Sequence, residues 1–172
     1  MSLYRAFLWL WIGGLILFAI VIMLGLPLGV SEVAGGILDH QAAGSAAEVD
    51  RIQQVWRSAG LWNQAAIAMI GDLIFIGIYG AGSLLGGLHF RRSTMRPVSI
   101  LGVLIAIAAA AFLITDYAET IAQFIQLTRF EGDDSLASLA ASVRPVKIAS
   151  WLFTFCGIIA CLVIRRKARR TA

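Results

Sequence analysis

Four long apolar runs, separated by polar segments, dominate the chain. They fall at residues 7–26, 62–88, 97–120 and 146–164. The first reads "FLWLWIGGLILFAIVIMLGL" and the third contains "VSILGVLIAIAAAAFLIT". Each can cover a hydrocarbon layer of ~30 Å at ~1.5 Å per residue. Peptide N–H and C=O groups find no water in lipid, so such runs are expected to be helices even where Val and Ile are frequent. The predicted fold class is all-α: a polytopic four-transmembrane-helix bundle, forming one integral membrane domain over residues 1–172. Only Arg5 supplies positive charge ahead of the first run. That run is also long for a signal-peptide core of ~7–15 residues, so a retained anchor is expected.

The polar segments give the bundle a direction. Residues before the first run, the 89–96 connection and the 165–172 tail carry nine basic residues and no acids. The connections at 31–60 and 128–145 are mixed and acid-rich. Basic residues are retained on the cytoplasmic side, so both termini are expected in the cytoplasm. In this reading 31–60 and 128–145 are external loops. The chain is expected in the cell membrane, and in the inner membrane if the source is bacterial. Within the first external loop, "AAEVDRIQQVWRSA" spaces Val49, Ile52, Val55 and Trp56 along one helical face. That predicts a short amphipathic helix, either capping the bundle or resting on the membrane. In the second, Asp133 or Asp134 is placed to cap "SLASLAASV".

Composition agrees with the pattern. Of 172 residues, 59% are hydrophobic and 14% charged, and the mean hydropathy is +0.84. A soluble domain needs far more polar surface. The pI near 9.6 would suit nucleic acid, but the basic residues sit where topology puts them, and no nucleic-acid partner is expected. Arg91, Arg92, Arg96, Arg165, Arg166 and Lys167 are instead candidate contacts for anionic lipid headgroups.

Some polar residues interrupt the apolar runs. Asp72 sits between "AAIAMIG" and "LIFIGIYG", and "AFLITDYAETIAQF" carries Asp116 and Glu119. Counting from the cytoplasmic ends, Asp72 lies ~26 Å out, Asp116 ~30 Å and Lys147 ~27 Å. Acids on two spans and a base on a third thus approach one outer-side layer. Asp116, Glu119, Gln123 and Gln126 share a helical face. Gln64, Asp72, Tyr79 and Ser83 form a narrower stripe on the second span. The candidate polar or transport site is therefore Asp72, Asp116, Glu119, Lys147 and Tyr79. Either an acid pairs with Lys147 and locks helices together, or the carboxylates line an outward-facing ion, proton or substrate cavity.

Small residues suggest close helix packing at Gly25 and Gly29, at Gly82 and Gly86, and along Gly102, Ala106 and Ala110. Trp9, Trp11, Trp56, Trp62 and Trp151 fall near span ends, and interfacial anchoring explains most of them. Cys156 and Cys161 face different sides of a helix and suggest no disulfide or metal pair. His40 is expected to face solvent. It sits near enough to Asp39, Asp116 and Glu119 in the reading above to raise a metal only by ligand type, so no metal site is assigned. Phosphate-loop, HEXXH, CXXC and GXSXG patterns are absent from the sequence. No catalytic residue, haem or other cofactor is assigned. Expected partners are membrane lipids and another membrane protein or a second copy. The reading is an accessory or assembly subunit of a membrane complex. A small proton- or solute-coupled transporter is the alternative, followed by a membrane-embedded enzyme or lipid-binding protein.

Overall fold

The computed structural model describes residues 2–171. It is an all-α bundle with four long apolar helices and two short ones. The long helices are α1 (Leu3–Gly25), α4 (Trp62–Phe90), α5 (Arg96–Arg129) and α6 (Asp134–Thr171). The short ones are α2 (Ile37–Ala42) and α3 (Ala46–Ser58). All four long helices are long and apolar enough to cross a membrane. They leave large apolar side chains exposed, among them Trp9, Ile16, Met23, Ile107 and Ile114.

Local chemistry sets the helix limits. Leu26–Leu28 tightens into a 3-10 turn around Pro27, which ends α1. Ser45 caps α3 through the Glu48 N–H. At the other end Gly60 adopts φ +71, while Leu61 N–H reaches Trp56 O and Gly60 N–H reaches Arg57 O. This is a Schellman closure, in which the left-handed position suits glycine. The end of α5 repeats the geometry without glycine. Phe130 takes φ 60, and the Glu131 and Phe130 N–H groups reach Gln126 O and Leu127 O. Stacking on Trp62 at 4.5 Å, with Arg57 lying 4.9 Å over the Phe130 ring, holds the residue there.

The 128–145 connection is mostly helix, including the "SLASLAASV" stretch expected to follow a cap. The α5 helix runs to Arg129, α6 begins at Asp134, and only a tight turn joins them. Asp133 starts α6 by accepting the Ser135 and Leu136 N–H groups at 2.9 and 3.0 Å. Asp134 instead accepts the Ala46 N–H at 2.7 Å. The helix even continues through Pro145. Helical hydrogen bonding outlasts the apolar run because capping and packing, not hydropathy, decide where it stops.

The chain forms two compact units. The first comprises Met1–Leu15, Gly77–Ile114 and Val146–Ala172, and the second Ile16–Ile76 and Thr115–Pro145. In the first, small residues set close helix contacts. A Cβ on Gly82 would lie 2.6 Å from Trp11 N, and one on Gly14 would lie 2.7 Å from Tyr79 Cα. Gly87 meets Gly102 and Ala106 in the same way. Trp11 belongs to this interior rather than to an interface, being 8% exposed.

In the second unit, Leu28, Val33, Val49, Ile52, Trp56, Ala65, Met69 and Leu127 share one apolar cluster. Val49, Ile52 and Trp56 show that α3 caps this cluster with its apolar face. Trp56 is fully buried and donates its indole N–H to Leu28 O at 3.0 Å, so it too is core rather than anchor. Gly25 and Gly29 do not form one helical ridge, because α1 ends at Gly25.

Candidate functional site

The polar face foreseen on α5 lies inside the second unit. Asp116, Glu119, Thr120, Gln123 and Gln126 are each no more than 2% exposed. Their spacing places them on one side of the helix. That side meets protein rather than water.

Three contacts tie this face to its surroundings. Thr120 Oγ1 donates to Asp72 Oδ2 of α4 at 3.0 Å. One turn earlier, Tyr117 donates its hydroxyl to Leu73 O at 3.2 Å. One turn later, Gln123 Nε2 donates to the backbone carbonyl of His40 at 3.3 Å. Gln126 completes the end of the face by accepting the Asp133 N–H at 3.0 Å.

His40 does not face solvent. It is 1% exposed, with Gln53 Nε2 3.3 Å from its Nε2 and the Trp56 ring 5.2 Å away. Burial pushes its imidazole down to about 4, so it is neutral at pH 7. The helices α2 and α3 thus roof the Gln123 end of the α5 face with a neutral imidazole and a buried amide. Gln53 and Thr120 were not singled out from sequence. Gln53 carried a signal, because Val49, Gln53 and Trp56 follow helical spacing and only Gln53 among them is polar.

The rest of the predicted set divides. Asp72, Asp116 and Glu119 belong to the second unit, whereas Tyr79 and Lys147 belong to the first. Tyr79 is fully buried, with its hydroxyl 3.0 Å from Thr154 Oγ1. Its ring packs edge-on to Phe112 at 5.4 Å. Lys147 is half-buried. Gln64, on the same stripe as Asp72, donates to Leu24 O at 2.5 Å.

Charge follows the same division. All 10 Asp and Glu residues lie in the second unit, with four of the 14 Lys and Arg; the other ten basic residues lie in the first. Arg91, Arg92, Arg96, Arg166 and Lys167 are exposed and Arg165 is half-buried.

The α5 face offers two carboxyl groups, two amides and a hydroxyl in a dry setting, which suits fixed hydrogen bonding or the holding of a proton or cation. Among the described residues no group of three or more His, Cys, Asp and Glu is placed to hold a metal ion. Cys156 and Cys161 are both free. No protein-family model, curated protein or solved structure matches this chain.

Proposed function

We propose that this protein is a multi-pass membrane accessory or assembly subunit, built around a fixed polar joint rather than an open site. The observation that carries this reading is the closure of the α5 face. Asp116 and Glu119 are almost wholly buried, and the His40–Gln53 roof is bonded to the same face through Gln123. The Thr120–Asp72 and Gln123–His40 hydrogen bonds hold α5 against α4 and α2. The broad exposed apolar surface of α1, α4 and α5 suits lipid tails or another membrane protein. The charge division supports an orientation with both termini in the cytoplasm, in the cell membrane, which is the inner membrane if the source is bacterial.

Native mass spectrometry after gentle extraction, at native expression, tests the proposal. A reproducible complex with another protein is expected. A bare monomer or homo-oligomer would overturn it.

A second reading has its own support. Asp116 and Glu119 lie within one turn, and Asp72 joins their helix through Thr120. Ionisable groups so placed in a span suit a proton- or solute-coupled transporter. Proteoliposomes that pass protons or solute with wild-type protein, and fail to with Glu119→Gln, would favour this reading. Absence of flux in both would remove it.

A further inference from the structure

The first unit carries a groove that the α5 site does not use. Tyr4, His89, Leu162, Arg165, Arg166 and Arg170 line an open volume of about 610 Å³. Among the described residues three arginines and no acid line this space, in a unit whose sequence contains no Asp or Glu. Arg166 and Arg170 lie one helical turn apart on α6, a like-charge spacing that is unfavourable without a counter-charge.

The third arginine is held in place. Arg165 Nη1 lies 2.6 Å from His89 Nε2. A guanidinium only donates, so Nε2 accepts and the ring proton sits on Nδ1. The Arg165 guanidinium also lies 5.8 Å from the centre of the Phe90 ring. The Tyr4 ring packs 5.1 Å from the His89 ring, closing the α1 side. Arg165 directly follows the last apolar residue of the fourth run, Ile164, and His89 is the penultimate residue of α4. The groove therefore combines an apolar residue, Leu162, with a guanidinium set at the end of an apolar run. Planar guanidinium forks match phosphate oxygens, often in bidentate pairs. The volume falls in the range of small-ligand sites, ~300–1,000 Å³.

We infer that this groove binds a phosphate-bearing anion, with Arg166 and Arg170 as ligands beside a preset Arg165. The phosphate comes from an anionic phospholipid headgroup or from a soluble phosphate, and the same arginines serve both. This inference does not depend on the accessory-subunit reading.

The test uses the full chain in a neutral detergent free of phospholipid. Phosphatidylglycerol and phosphatidylcholine are added separately, and bound lipid is counted by native mass spectrometry. Wild type is expected to retain phosphatidylglycerol over phosphatidylcholine. The double variant R166Q/R170Q is expected to lose about tenfold in phosphatidylglycerol affinity. Both side chains are exposed, and an unchanged melting temperature would show that the fold is intact. The comparator R5Q/R129Q removes the same charge from exposed arginines outside the groove and is expected to stay within about twofold of wild type. Inorganic phosphate is then added to the lipid-loaded protein. Displacement of phosphatidylglycerol assigns a site that takes free phosphate; retention assigns the lipid headgroup. Equal losses in the two double variants, or no loss in R166Q/R170Q, would overturn the inference.

Discussion

Thr120 donates its hydroxyl to Asp72 at 3.0 Å, joining two helices through the only hydroxyl in "DYAETIAQF" other than that of Tyr117. A carboxylate in a span needs such donors, because lipid supplies none. Thr120→Val keeps the side-chain shape and removes the donor. It should destabilise the protein by about 1–3 kcal/mol, read as a lower midpoint in denaturant titration in detergent. Thr120→Ser should retain most of the stability. Equal behaviour of the two variants would show that the hydroxyl contributes nothing.

Neutralising Asp72 should matter more than neutralising an acid at the surface. Asp72→Asn weakens the acceptor for Thr120, whereas Glu131 is exposed. The yield of folded protein and the amount recovered in its native complex should both fall further for Asp72→Asn than for Glu131→Gln. Parallel extraction and native mass spectrometry compare them. Equal effects on both properties would remove Asp72 from the proposed joint.

The roof should be acid-sensitive through His40. Burial lowers its folded-state value from 6.5 to about 4. Between these values the unfolded chain binds the proton and the folded chain does not. The contribution is therefore full above pH 6.5 and is lost progressively as pH falls toward 4. Its size is about 3 kcal/mol. Denaturation midpoints measured from pH 7.5 to 4 should fall across that window, and His40→Gln should flatten this part of the slope.

Two glycines of α1 and α4 should respond oppositely to a methyl group. At Gly82 a Cβ would meet the Trp11 backbone nitrogen at 2.6 Å, whereas at Gly13 nothing lies within 4 Å. Gly82→Ala should cost about 1–3 kcal/mol through overpacking. Gly13→Ala should leave stability unchanged or raise it by up to about 1 kcal/mol, since alanine favours helix. Thermal melts in one detergent separate the two.

The sequence alone determined the four apolar runs, the amphipathic α3 and the shared face of Asp116, Glu119, Gln123 and Gln126. These are local properties: hydropathy sums along a run, and helical spacing fixes which side chains align. The separation of acids from most basic residues was also legible, because it is a matter of position along the chain. Helix ends were less so. Capping by Asp133 was foreseen as one of two choices, but the left-handed Phe130 depends on stacking against Trp62 and Arg57, far away in sequence.

Only the tertiary structure decided which polar residues would be hidden. His40 meets Gln123 across 83 positions, so its burial and its neutrality at pH 7 could not follow from its neighbours in "ILDHQA". Trp56 became core for the same reason, through its bond to Leu28 O. The groove of Tyr4, His89, Arg165, Arg166 and Arg170 gathers three helices. Composition supplied its charge, but only folding could bring those guanidinium groups around one space.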